Sequence, residues 1–188
     1  MKVGIYGGSF NPIHNGHVYI AKLVLEELKL DKLLIIPVGN PSHRENLLLD
    51  GKLRLEMCRL AFENERKIEV SDIEISSDEV CYTYDTLLKV MELYPDCEYF
   101  EIIGEDSGAY FQKWKNYEEI LKLSKVVILQ RKGYETTLKN SNIIHIKNKF
   151  FNFSSTEVRD AIKEGKTIAC MVPSKVERFI KNNKLYNK

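Results

Sequence analysis

Six short runs of β-branched and other apolar residues recur along this 188-residue chain, separated by segments of helical periodicity. The runs are Val3 to Tyr6, Leu33 to Pro37, Ile68 to Val70, Phe100 to Ile103, Val126 to Leu129 and Ile143 to Ile146. Helical patterns lie at about Gly16 to Leu28, Lys52 to Glu63 and Thr86 to Leu93, with shorter ones near Ser107 to Phe111 and Glu118 to Leu121. Strands that alternate with helices need crossover connections. The pattern therefore predicts an α/β fold, a doubly wound parallel sheet with helices on both faces. Such sheets bind ligands outside the carboxyl ends of their strands, where the strand order reverses. Gly7 to His17, Gly39 to Arg44 and Gly104 to Asp106 follow the first, second and fourth predicted strands, so the fold would bring them to one crevice.

The chain, 44% hydrophobic, is long enough for one well-buried domain spanning 1–188, with a helical segment at about 154–188. Ser154 with Glu157, and Ser174 with Glu177, have the spacing of capping boxes, and Gly165 and Pro173 punctuate the link between them. From Arg159 to Lys188 eight basic residues face three acidic ones, a pattern that for most of these lysines reads as a solvated helix face. The formal net charge of +1 makes no global case for nucleic acid or an anionic membrane, so any affinity for anions must be local. No apolar run approaches the roughly 20 residues that span a bilayer, and no signal-peptide core follows Lys2, which predicts a cytoplasmic protein. Cys58, Cys81, Cys97 and Cys170 are widely spaced, as incidental thiols in a reducing compartment would be.

The stretch Gly7-Gly8-Ser9-Phe10-Asn11-Pro12-Ile13-His14-Asn15-Gly16-His17 joins the first strand to a helix whose Val18, Ala21, Val24, Leu25 and Leu28 share one face. A glycine-rich turn into a helix offers backbone N–H groups and a positive dipole end to an anion such as phosphate. There is no P-loop lysine and no complete G-x-G-x-x-G, so His14 and His17 are the candidates to meet the phosphate. The alternatives are two solvated histidines, or a metal pair that would lack further ligands at zinc spacing.

This segment resembles the G-x-F-x-P-x-H-x-G-H signature of the nucleotidyltransferase superfamily, which includes cytidylyltransferases and pyridine nucleotide adenylyltransferases. Phe153-Ser154-Ser155-Thr156-Glu157-Val158-Arg159 resembles the I-S-S-T-x-x-R motif near the C-terminus of the same enzymes. The resemblance implies a Rossmann-like fold and adenylyl transfer from ATP, with His17 on the α-phosphate, His14 on nearby triphosphate oxygens and Arg159 on the β and γ groups. Gly7, Gly8, Ser9, Phe10, Gly16, Ser154, Ser155 and Thr156 would complete the ATP site. Gly104 and Asp106 fall in Ile102-Ile103-Gly104-Glu105-Asp106, similar to the I-I-G-x-D motif that contacts adenosine in the pyridine nucleotide branch. No carboxylate cluster argues for a protein metal site, so Mg²⁺ would enter with ATP.

Tyr82-Thr83-Tyr84-Asp85-Thr86-Leu87 resembles the Y-T-x-D-T-L segment of the bacterial nicotinate mononucleotide branch, and Arg131-Lys132-Gly133-Tyr134 its R-x-G-Y element. Trp114 lies where that branch places an aromatic on the pyridine ring, and its neighbours Gln112, Lys113, Lys115 and Asn116 give it no apolar stripe to join. Asn40, His43, Arg44, Thr83, Asp85, Trp114 and Arg131 are the implied acceptor-binding residues, with Thr83 also a candidate N-cap. Two positions depart from the branch: Lys115 stands where tyrosine is common, and Gly39-Asn40-Pro41-Ser42-His43-Arg44 replaces P-P-H-K. The implied reaction joins ATP and nicotinate mononucleotide to give nicotinate adenine dinucleotide and pyrophosphate, a late step in NAD synthesis. Nicotinamide mononucleotide or phosphopantetheine as acceptor, a nucleotide-binding regulator without turnover, and self-association into a homo-oligomer remain open at this point.

Overall fold

The computed structural model describes every residue except 42–47, 78, 132, 135, 137 and 188, and describes the backbone alone at 40 and 41. Six parallel strands form one sheet in the order β4-β2-β1-β6-β7-β8: β1 (Lys2–Gly8), β2 (Lys32–Pro37), β4 (Ile68–Val70), β6 (Glu98–Gly104), β7 (Lys125–Leu129) and β8 (Ile143–Ile146). Each contains the run predicted for it. Register is set by alternation on β1 and β6: Tyr6, Phe100 and Ile102 enter one apolar cluster, while Val3, Ile5, Tyr99 and Ile103 enter the other. The first cluster is covered by α1 (Asn15–Glu27), α2 (Gly51–Phe62), α6 (Ser155–Lys163) and α7 (Ser174–Asn182), through Ala21, Val24, Met57, Phe62, Val158, Val176 and Ile180. The second is covered by α3 (Thr83–Leu93) and α5 (Tyr117–Leu123), through Leu87, Val90 and Ile120. The expected two-faced α/β architecture is thus present, and the order reverses between β1 and β6, which pair from Lys2 with Glu98 to Ile5 with Glu101 and end at Gly8 and Gly104 on the carboxyl edge.

Four local readings change. The short helix α4 is Glu105–Gly108 rather than Ser107 to Phe111, since Gly104 caps it and Glu105 and Asp106 occupy the first turn, where acidic groups suit the dipole. Residues Phe111–Lys113 form a separate 3-10 turn. Helix α3 begins at Thr83, with Tyr82 as its cap, so Thr83 is the first helical residue and not the cap. Helix α7 is preceded by Pro173, and Ser174 lies inside it without capping. The sequence also gave no sign of the two-residue strands β3 (Asn40–Pro41) and β5 (Val80–Cys81), which pair in parallel and are too short to show a period. Among the described residues no helix is long and apolar enough to cross a membrane.

Candidate active site

Between β1 and α1 the chain turns over Phe10, whose ring is 2% exposed and packs under Gly8 and edge-on against the His17 ring. Phe10 is left-handed (φ 44°), and its side chain belongs to the core, so only its backbone can face a ligand. His14 then caps α1 in a way its sequence does not advertise. Its Nδ1 accepts from the Gly16 N–H at 3.1 Å and the His17 N–H at 3.4 Å, while His17 Nδ1 accepts from the His14 N–H at 3.2 Å. The result is a capping box built from two imidazoles. Gly16 permits it: a Cβ there would stand 2.9 Å from the His14 ring.

The capping box decides the protonation of both rings. A nitrogen that accepts from a backbone N–H carries no proton, so each neutral ring holds its proton on Nε2. Burial, the Arg131 charge second, brings His14 down to about 4, and burial with the His14 and Arg131 charges lowers His17 well below its ordinary value. At neutral pH the site therefore presents two uncharged Nε2–H donors on rings stacked 3.7 Å apart. The predicted backbone donors of α1 are otherwise engaged: Asn15 N–H donates to the Met171 carbonyl at 2.8 Å, and Gly16 and His17 donate to His14. An anion at this helix start would meet imidazole and the dipole rather than those amides.

The C-terminal motif is fastened to this turn. Ser154 caps α6 in a box with Glu157, Ser155 Oγ donates to the Pro12 carbonyl at 2.9 Å, and Arg159 Nη1 donates to the Asn11 carbonyl at 2.7 Å. Arg159 Nη2 also reaches Thr156 Oγ1 at 3.1 Å, which holds the guanidinium fork along the helix start. His14, His17, Ser154, Ser155, Thr156 and Arg159 thus come together from opposite ends of the chain. Phe153 adds an edge-on contact to the His14 ring, 5.6 Å between centroids.

Across the reversal point, Gly104 lets two side chains close over it: a Cβ there would lie 2.3 Å from Asp106 Oδ1 and 3.0 Å from Arg131 Nε. Arg131 Nε lies 3.5 Å from Asp106 Oδ1, and the Arg131 backbone N–H donates to Glu105 Oε2 at 3.1 Å. Arg131, read from sequence as an acceptor residue, thus stands beside Gly104 and Asp106, and its charge acts on both histidines.

The predicted acceptor residues Thr83 and Asp85 occupy the first turn of α3, and β5, just before it, pairs with β3, where Asn40 lies. Glu74 reinforces that link, accepting from Thr86 Oγ1 at 2.7 Å and from the Gly39 N–H at 3.2 Å. Asp85 Oδ2 accepts from Lys115 Nζ at 2.8 Å, and Lys115 lies 4.6 Å over the Tyr82 ring. The departure at Lys115 thus brings a cation to the start of α3. Trp114 is half-buried against the second cluster, 5.3 Å from the Phe111 ring, so it does find the apolar neighbours that its flanking residues seemed to deny it. His43 and Arg44 lie outside the described residues.

A family model, cytidylyltransferase-like, matches residues 5–161, from the first strand through the Arg159 helix. The chain belongs to the cytidylyltransferase-like family. Two relatives within it span nearly its whole length. A protein of Fusobacterium nucleatum subsp. nucleatum, "Probable nicotinate-nucleotide adenylyltransferase", is 49% identical over 187 residues, covering 96% of this chain and 97% of its own. A protein of the same name from Clostridium botulinum strain Okra is 38% identical, covering 97% of each chain. Plasmodium falciparum nicotinic acid mononucleotide adenylyltransferase complexed with NaAD has a similar fold, with a TM-score of 0.82 over 99% of this chain and 97% of that one, at 20% identity.

Proposed function

We propose that this cytidylyltransferase-like protein is a nicotinate-nucleotide adenylyltransferase: it transfers the adenylyl group of ATP to nicotinate mononucleotide. The observation that carries the reading is the junction of the histidine turn with α6 through the Asn11 and Pro12 carbonyls. It brings imidazole donors, hydroxyls and one arginine together at the turn after β1, beside the strand reversal. The 49% identical relative carries the same activity in its name.

In the reaction a phosphate oxygen of the acceptor attacks the α-phosphorus of ATP, one P–O bond forms, and the bond to the departing pyrophosphate breaks. Nucleophile and leaving group are both good at neutral pH, so the protein must align two polyanions and stabilise charge spread over the transferring group. His17 Nε2–H contacts the α-phosphate and His14 Nε2–H the neighbouring oxygens. Arg159, with Ser155 and Thr156, receives the β and γ groups. Gly104 and Asp106 hold the adenosine, with Arg131 beside them. Among the described residues no group of three or more Asp, Glu, His or Cys side chains is placed to hold a metal. The donor set fits an Mg²⁺ held by phosphate oxygens and water, and that ion would supply charge neutralisation of the leaving pyrophosphate.

On the acceptor side, the start of α3 favours a carboxylate-bearing pyridine, with Trp114 offering a ring face. The Lys115–Asp85 pair removes the repulsion that Asp85 alone would exert on that carboxylate. Pyrophosphate release measured with ATP and, in turn, nicotinate mononucleotide, nicotinamide mononucleotide and phosphopantetheine tests the assignment. Release should be fastest with nicotinate mononucleotide. Equal or greater efficiency with either other acceptor refutes the acceptor, and no release with any supports a regulator that keeps the fold without turnover.

A further inference from the structure

Arg54 takes no part in the site described above, yet it is 2% exposed. It lies on the buried stripe of α2 with Met57 and Cys58, yet its three guanidinium nitrogens reach three separate pieces of backbone. Nε donates to the Leu49 carbonyl at 2.8 Å, Nη1 to the Ser9 carbonyl at 2.9 Å and Nη2 to the Val38 carbonyl at 2.7 Å. Ser9 belongs to the phosphate turn. Val38 and Leu49 flank residues 39–48, the stretch that carries Asn40, His43 and Arg44 in the sequence. A second set of bonds runs parallel to the first: the Val38 N–H donates to the Gly8 carbonyl at 2.9 Å, and the Leu49 N–H to Asn11 Oδ1 at 3.3 Å. Both ends of that stretch are therefore tied twice to the turn that holds the histidines.

A buried cation costs several kcal/mol unless its donors are satisfied, and a simple apolar side chain would fill this place on the stripe. What an apolar residue cannot do is hold three carbonyls from two loops in one plane. A rigid planar fork can. We propose that Arg54 is a positioning residue for the transfer reaction, fixing the distance between the phosphate turn and both ends of the acceptor-side loop. The inference rests on the reading that 39–48 serves the acceptor. In-line attack depends on that distance, because a misplacement of about 1 Å can cost about 10²-fold in rate without loss of binding.

Arg54→Lys keeps the charge and a single donor centre, which cannot span three carbonyls. The expected result, at a temperature where thermal unfolding shows the variant folded, is a kcat about 10- to 100-fold lower with both substrates saturating, and an ATP dissociation constant within threefold of the unmodified protein. A kcat within twofold overturns the proposal and leaves Arg54 a purely structural residue. Hydrogen exchange on the unmodified protein gives a measurement that needs no variant: the Val38 and Leu49 amides should open together, with one free energy. Independent opening of the two also overturns it. Absence of pyrophosphate release in the unmodified protein would defeat the proposed reaction and not the clamp, which the exchange experiment still decides.

Discussion

The His14 capping box makes a quantitative prediction about acid. Nδ1 of His14 accepts backbone N–H bonds, so protonating the ring breaks the cap of α1 as well as placing a charge in a buried site facing Arg131. The ring is held at about 4 in the folded protein, against an ordinary value near 6.5 when the chain is unfolded. The group is thus depressed on folding: its contribution is intact above about pH 6.5 and is lost as pH falls through about 4. Between pH 7 and pH 4.5 the unfolded state takes up a proton that the folded state refuses, which costs about 2.5 kcal/mol of stability. His14→Asn separates this effect from the rest, because asparagine is a good N-cap that does not titrate. Urea unfolding should show the two proteins within about 1 kcal/mol at pH 7. The unmodified protein should then lose about 2.5 kcal/mol more than the variant on going to pH 4.5. Glu74 and Glu101, raised by burial, shift stability in the opposite sense but are present in both proteins and cancel in the difference. His17, also depressed, remains in both. Equal losses in the two proteins would refute the assignment of His14 as a neutral, Nε2-protonated cap.

His17→Ala should lower kcat by about 10²–10³ with a smaller effect on ATP binding, as expected for a donor acting on transition-state charge, and steady-state pyrophosphate release with ATP titration checks it. Arg159→Lys keeps the charge but loses the fork that spans the Asn11 carbonyl and Thr156, so KM for ATP and pyrophosphate should rise while acceptor affinity stays within about twofold; an effect confined to the acceptor would place this arginine in the other half of the crevice. Lys115→Ala leaves Asp85 unpaired at the start of α3, so the preference for nicotinate over nicotinamide mononucleotide should fall about 3- to 10-fold, read as a ratio of kcat/KM, and an unchanged ratio would remove the pair from acceptor choice.

The sheet was legible because its four inner strands are buried on both faces and so appear as unbroken apolar runs, as at Leu34 to Ile36 and Val126 to Ile128. The histidine turn and the α6 start were legible because their residue types are unusual at such spacing. What stayed hidden is contact between distant segments. Histidine is not among the common N-cap residues, so nothing in His14-Asn15-Gly16-His17 announced that Nδ1 atoms would close the helix and choose the tautomers. Arg54 did leave a signal, a charged residue three and four positions before the buried Met57 and Cys58, on their side of the helix. Glu74 left none, since its bonds to Gly39 and Thr86 depend on how loops cross. Trp114 was misjudged because its sequence neighbours are polar while its partner, Phe111, sits one turn earlier on the buried side.

Neutral histidines at the centre of the site proposed for polyanions pose a problem of charge that the surrounding residues resolve. Protonated rings would attract phosphate more strongly, yet each would lose an accepting Nδ1, and with it the bonds that keep α1 capped and the two rings stacked. They would also repel one another and Arg131. Full positive charge is instead carried by guanidinium groups that need no proton exchange: Arg131 on the Asp106 side and Arg159 at the α6 start. Attraction and orientation are thereby divided between different side chains. In the proposed reaction the arginines would draw the phosphates in at any pH the protein encounters, while the imidazole N–H groups, fixed by backbone bonds, would wait where charge develops and require no reorganisation when it does. Because neither duty depends on a group that titrates near neutrality, these residues should leave the rate flat between about pH 6 and 8, with loss on the acid side following the His14 cap.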